Sequence, residues 1–203
     1  MTVVGIDVGG KKKGFHACAI DGREIVAGPT QLTDVDTAVA WVRKFTPTTV
    51  ALDSPFEPAP EGTRSREDEK TLNRAVCRIR WTPDQAGLEG KPYFAWILHG
   101  LELYEALRTA IPGAERIEVF PTAAWTEWIG PRKKKRRAAW TTAGMETLGN
   151  SALDLDDLDS KTGKSTLNQD DRDAIAAALV ARQYEAGETT AYGKIIVPAG
   201  ALP

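Results

Sequence analysis

Cysteine is nearly absent. Cys18 and Cys77 are the only two among 203 residues, too few for a disulfide scaffold, and neither belongs to a Cys-x-x-Cys or Cys/His cluster of the kind that holds zinc. Both read as reduced core thiols of an intracellular protein. The two histidines, His16 and His99, are isolated, which favours core or surface roles over catalysis. An excess of one charge is also missing: 26 Lys and Arg against 28 Asp and Glu leave a net charge of -2 and an isoelectric point near 5.8. Any contact with nucleic acid must therefore come from local basic patches. No stretch approaches the roughly 20 apolar residues that a membrane span requires, and no basic, apolar leader precedes the strand-like run that starts at residue 3. A cytoplasmic location with no membrane partner is expected. Internal repeats are lacking too. What remains is an ordinary globular composition, 42% hydrophobic and 27% charged. The length suits one domain, residues 1–203, with helices packed on a sheet.

Patterning along the chain supplies the elements. Residues 3–8 alternate, with Val4, Ile6 and Val8 on one face and Val3, Gly5 and Asp7 on the other. "GGKKKG" reads as a hairpin turn into "FHACAID", and "REIVAGPTQ" continues as a third strand. "TDVDTAVAWVRKF" opens with capping residues and carries Val35, Val39 and Val42 at helical spacing. "TTVALDSP" is a fourth strand stopped by Pro55, and "IEVFP" a fifth. Helices are expected over "DEKTLNRAVCRIR", "PYFAWILHGLELYEALRTAI", "TAAWTEWIG" and "QDDRDAIAAALVARQYEA". Inserted loop and helical segments are expected around 55–92 and 131–165. This order predicts an α/β fold: a mixed five-stranded sheet with helices on both faces, its first three strands antiparallel and the later ones parallel through right-handed crossovers.

Asp7 puts a carboxylate inside an apolar strand, where burying an unpaired charge is costly. Asp53 does the same at the end of the fourth strand, and both share a face with small residues, Gly5 in one case and Thr49 and Ala51 in the other. If the two strands are parallel neighbours about 4.8 Å apart, the carboxylates stand side by side. They then repel by roughly 3 kcal/mol at an effective dielectric of about 20. A divalent cation relieves that repulsion, and so does a shared proton. In "QDDRDAIAAAL", Asp170 and Asp173 are spaced i, i+3 and leave the first helical turn in the same direction, while Asp171 points roughly 100° away. Singly, each acid reads as a turn, cap or helix-dipole residue. Together, four acids from three separated segments point to one or two oxygen-ligated ions, Mg²⁺ or Mn²⁺ rather than zinc. Two such ions activate water and stabilise the leaving oxygen in phosphodiester cleavage.

"GIDVGGKKKGFHACAID" resembles the first hairpin of the ribonuclease H-like superfamily, and "DDRDAIAAAL" resembles the Asp-x-x-Asp-Ala helix of Holliday-junction resolvases of the RuvC type. Over almost the full length, "GIDVGG", "ALDSPF", "RAVCRIR", "IEVFPTAAW", "DDRDAIAAALVA" and "GKIIVP" are similar, in that order, to a bacterial family called domain of unknown function four-two-nine, described as predicted nucleases. The resemblance implies a ribonuclease H-like fold and a metal-dependent, nuclease-type site for DNA or RNA at Asp7, Asp53, Asp170 and Asp173. Two positions differ. Ribonuclease H proper adds a Glu from the first helix, where this chain offers only Asp34 and Asp36. Resolvases usually carry Glu at the fourth-strand position, and Asp53 reaches one methylene less far. "GIDVGG" also resembles the first phosphate loop of sugar kinases, so an actin-like phosphotransferase or ATPase-related domain is an alternative, although a second such hairpin is missing. A non-catalytic binding protein retaining the fold is a third.

Glu118, in "IEVFP", is either an additional metal ligand or a solvent-facing strand residue. Lys11, Lys12 and Lys13 follow Asp7 where a substrate phosphate would sit, though a hairpin tip tolerates lysine. Arg74 and Arg78, four apart on one expected helix face, either line a substrate groove or pair with Glu67, Asp68 and Glu69. Arg132, Lys133, Lys134 and Lys135 begin a basic run that ends at Arg137. It is a candidate phosphate-binding patch of salt-dependent affinity, or a solvated loop. The six tryptophans fall mostly at apolar helical positions, as core packing requires. Nucleic acid is the expected partner, and a homodimer is compatible with the sequence.

Overall fold

The structure is a computed structural model and describes residues 1–154 and 166–200. Strands β1 (Thr2–Val8), β2 (Phe15–Asp21) and β3 (Glu24–Leu32) form the expected antiparallel succession. The link 9–14 closes through Gly14 at φ 71°, so that Val8 pairs with Phe15 and Asp7 with His16. Helix α1 (Val35–Arg43) starts on a capping box: Thr37 N donates to Asp34 at 2.8 Å, and Asp34 N donates to Thr37 Oγ1 at 3.1 Å. Asp34 is thus engaged in capping. Strand β4 (Thr49–Asp53) returns parallel to β1.

Next come α2 (Glu67–Ala75), α3 (Gln85–Glu89), a 3₁₀ turn at Pro92–Phe94, and α4 (Ala95–Ala110). β5 (Glu115–Val119), α5 (Pro121–Ile129) and α6 (Arg137–Ser151) follow, then α7 (Gln169–Glu185), β6 (Thr189–Tyr192) and β7 (Ile195–Pro198). Of the expected insertion at 131–165, α6 is described and 155–165 lie outside the described residues. The sheet has seven strands, in the order β3-β2-β1-β4-β5-β7-β6, not five. The two extra strands form a hairpin of four-residue strands turning at Gly193, φ 63°, too short for alternation to stand out. β7 lies parallel to β5, and β6 antiparallel to β7. A second expectation fails at α2, which stops at Ala75. Val76, Cys77 and Ile79 leave the helix to pack on Leu72, Ala123, Ile195 and Val197. Arg74 and Arg78 therefore share no helix face.

Both faces of the sheet carry helices. Val4, Ile6, Val8, Val50 and Leu52 face α1 and α4, while Val3, Ala51, Ile117 and Val119 face α5, α6 and α7. Trp125, Trp128 and Trp140 are buried in the second layer, as core packing requires. Among the described residues, no helix is long and apolar enough to cross a membrane.

Gly5 sets the spacing at the centre. A Cβ there would fall 2.0 Å from Ala178 N and 2.3 Å from Ala174 O, so β1 and α7 touch backbone to backbone. Gly5→Ala is expected to destabilise by about 1–3 kcal/mol, the range for overpacking, and near its upper end because the obstacles are main-chain atoms. Chemical denaturation measures it. A smaller loss than Ala substitution at an exposed strand position would contradict the close packing.

Candidate functional site

Parallel neighbours share a face at each registered pair, and Asp7 is the registered partner of Asp53. The two carboxylates stand side by side at the C-terminal ends of β1 and β4. Asp7 is 8% exposed, and Asp53 is half-buried. Helix α7 brings the other two acids to the same place by simple geometry. Ala178, Ala174 and Asp170 are successive members of one i, i+4 row, and the first two lie over Gly5. Four residues of helix rise about 6 Å, and the two strand residues from Gly5 to Asp7 cover about 6.6 Å. The first turn of α7 therefore arrives at Asp7.

Each helical acid already has a cation. Asp170 accepts from Lys13 Nζ at 2.6 Å. Asp173, 2% exposed, accepts from Arg137 at 2.8 Å, Trp125 Nε1 at 3.3 Å and Gln169 Nε2 at 3.1 Å. Asp171 has a different task. Its Oδ2 accepts from Asn168 N at 3.0 Å while Asn168 Oδ1 accepts from Asp171 N at 2.9 Å, a reciprocal cap. Its Oδ1 lies 2.8 Å from His16 Nδ1. His16 is buried, and its Nε2 is 3.9 Å from Asp170.

The acids disturb one another. Burial, then the charges of Asp173 and Asp170, push the Asp7 carboxyl up to about 7, against the opposing pull of Lys13 and His16. Burial followed by the charge of Asp7 holds Asp53 well above the carboxylate range. Burial also raises Asp173, with Arg137 opposing. Lys13 is pulled down by burial, but Asp170 and Asp7 outweigh that and hold it above the ordinary lysine value. Oxygen donors under mutual repulsion suit a hard divalent cation, so the donor chemistry fits Mg²⁺ or Mn²⁺. The geometry is not preassembled: among the described residues, no three His, Cys, Asp or Glu side chains stand together as a group able to hold a metal ion.

Glu118 is on the other side. Its registered partner is Leu52, so it shares Leu52's face and points away from the Asp7–Asp53 pair. It is 4% exposed and held by Arg66, whose Nη1 donates to Oε2 at 2.7 Å while Nη2 bonds Oε1. Phe56 N donates to the same carboxylate at 2.8 Å. Arg66 Nε also donates to Glu69 at 3.3 Å, and Glu69 accepts from Thr82 N at 3.0 Å. This buried network fastens segments 54–66 and 77–82 to β5.

Those segments wall a cleft of about 730 Å³ that reaches from Asp53 and Lys13 to Arg78, Arg80, Arg132 and Arg137. Arg78 and Arg132 thus border it. Lys11, Lys12 and Lys133 to Lys135 are exposed and do not line it, and Arg74 pairs with Glu67 on the surface at 3.2 Å. Sequence reasoning gives two residues other roles. Arg137 reads only as the end of a candidate phosphate-binding run, and His16 only as a core or surface residue. His16 could have been found from the hairpin, because closure at 9–14 makes it the cross-strand neighbour of Asp7.

A family profile described as "Protein of unknown function (DUF429)" matches residues 5–195. No curated protein matches the sequence. Among solved structures, Thermus thermophilus RuvC in complex with a Holliday junction substrate is 16% identical with a TM-score of 0.51, over 94% of this chain and 98% of that one. A Thermus thermophilus RuvC structure without that description gives 14% and 0.49, over 92% and 97%. At such identity, the 0.51 match shows likeness of fold alone, a RuvC-like, ribonuclease H-like fold, and leaves the chemistry to the site. The profile runs from Gly5, beneath α7, to Ile195 at the head of β7, and on that span the chain belongs to the DUF429 family.

Proposed function

We propose that this protein is a divalent-metal-dependent nuclease that hydrolyses phosphodiester bonds of DNA or RNA. The carrying observation is the registered Asp7–Asp53 pair at two parallel strand ends, with the acidic first turn of α7 laid against it. Asp7 and Asp53 would hold Mg²⁺ or Mn²⁺, joined by Asp170 and Asp173 as Lys13 and Arg137 swing from carboxylate to phosphate. When bound, the ion supplies an activated water and offsets charge on the leaving oxygen. Arg78 and Arg132 orient the sugar–phosphate backbone on entry. His16 fixes the start of α7 through Asp171, which keeps Asp170 facing Asp7. The RuvC-like fold, whose solved relative is described with a Holliday junction, supports a nucleic-acid substrate.

A second reading is a non-catalytic nucleic-acid binder, favoured by the Lys13–Asp170 and Arg137–Asp173 pairs, which balance the acids without a metal. Metal titration separates the two. For a nuclease, Mn²⁺ should raise the melting temperature more at pH 8 than at pH 6, because the ion competes with protons for Asp7. Labelled single-stranded, duplex and branched DNA and RNA should be cut with Mn²⁺ and not with EDTA. A folded protein that neither binds Mn²⁺ nor cuts any of them is the non-catalytic binder.

A further inference from the structure

Three of the exposed large hydrophobic side chains among the described residues are aromatic: Phe56, Trp81 and Tyr93. Phe56 packs on Tyr104 and lies beneath Lys194. Trp81 and Tyr93, 43% and 53% exposed, lie together on the rim shared by the cleft that reaches Asp53 and an adjoining cavity of about 940 Å³. Trp81 stacks on no other ring among the described residues, and its indole N–H donates to none of their acceptors. Arg80 bonds the Tyr93 hydroxyl through Nη1, with its guanidinium carbon 5.4 Å from the ring centre. The adjoining cavity is also basic. Arg64, Arg78, Arg80 and Lys91 line it against a single acid, Asp84, whose carboxylate is occupied by the backbone N–H groups of Gly62 and Gly87 at 2.8 and 2.9 Å.

Isolated surface aromatics need no explanation. Two on one rim, beside a row of cations and on a cleft that reaches Asp53, have the make-up of a surface that stacks bases and tracks phosphates. A base pair inside a duplex hides its faces, so such a rim selects strands with unpaired nucleotides. We infer that Trp81 and Tyr93 form a stacking platform for unpaired bases, with the backbone running along Arg64, Arg78, Arg80 and Lys91 toward Asp53. This names the substrate class of the proposed nuclease site, and rests on that proposal for what happens at the acids.

The test measures fluorescence anisotropy of the full chain with a labelled single-stranded DNA oligonucleotide and with the blunt duplex of the same sequence, both in EDTA. Wild type should prefer the single strand. Combined W81A and Y93A substitution should weaken single-strand binding by about tenfold or more, as loss of one or two stacked bases does. The slope of log affinity against log salt should not change, because no phosphate contact is lost. Trp81→Phe keeps a π-face and should restore most of the affinity, which separates stacking from a folding defect. The platform is overturned if the double variant binds as wild type does, if Trp81→Phe fails to rescue, or if wild type binds duplex as tightly or binds neither. Single-strand binding that depends on Trp81, without Mn²⁺-dependent cleavage, would instead remove the nuclease proposal and leave the platform standing.

Discussion

Asp7→Asn should abolish metal-dependent cleavage and at the same time make the metal-free protein more stable. The first effect follows from removing a charged oxygen donor at the point where β1, β4 and α7 meet. Metal-ion stabilisation of developing charge is worth several kcal/mol, about tenfold in rate for each 1.4 kcal/mol. Cleavage should fall by at least about a hundredfold in a steady-state assay. The second effect follows from the direction of the Asp7 shift, from 3.8 to about 7. Below about pH 4 the carboxyl is protonated in both folded and unfolded chains, and folding is undisturbed. Between about pH 4 and 7 the unfolded chain gives up that proton and the folded protein keeps it, so stability declines as pH rises. At about 1.4 kcal/mol per pH unit the decline sums to about 4 kcal/mol by pH 8. Asn removes this contribution, and the melting temperature of D7N should vary less with pH and exceed that of wild type at pH 8. Wild-type cleavage by D7N would remove Asp7 from the site, and an unchanged pH–stability profile would contradict its burial among like charges.

Arg66→Ala carries the other large expectation. Among the described residues, Arg66 is the one cation paired with Glu118 and Glu69, both nearly fully buried. Taking one partner from a buried ion pair leaves an uncompensated charge and typically costs about 3–5 kcal/mol. In a domain of this size, the loss corresponds to about 6–20 °C in melting temperature. The sign of a double substitution is informative. Arg66→Met with Glu118→Met removes both charges, and should recover much of the loss because apolar replacement of a whole buried pair is often neutral. A double variant no more stable than Arg66→Ala would mean that shape, rather than charge, holds the cleft wall. Arg66 bonds Glu118 and Glu69 and none of the four aspartates, so cleavage per folded molecule of Arg66→Ala is a separate readout, whereas the Glu118 charge acts on Asp53.

The acid pair was legible in the sequence because strand alternation and strand ends leave strong local marks. "GIDVGG" and "ALDSP" each put Asp at the last inward position of an apolar run, and parallel pairing did the rest. The helix start was legible for the same reason, since i, i+3 spacing fixes direction. Glu118 was ambiguous for want of a register: shifting β5 by one residue changes its face, and only the pairing with Leu52 decides it. Arg66 gave no signal, because its two partners lie 3 and 52 positions away. Trp81, exposed, is a tryptophan outside the helical apolar pattern that most follow. A helical apolar pattern accounts for Trp125 and Trp128, but Trp81 follows the point where Val76 and Cys77 turn the chain out of α2, and no periodic pattern governs it. The terminal hairpin was invisible for its brevity.

The sheet's two margins have a consequence for behaviour at high concentration. On one side, β3 carries Pro29, which has no N–H to offer, and its pairing with β2 slips at Ala17 and Ala19; Asp154 bridges beside Glu24 at its near end. On the other, β6 is four residues long. Neither margin presents a straight row of free donors and acceptors, so strand-by-strand recruitment of further molecules into fibrils lacks a template.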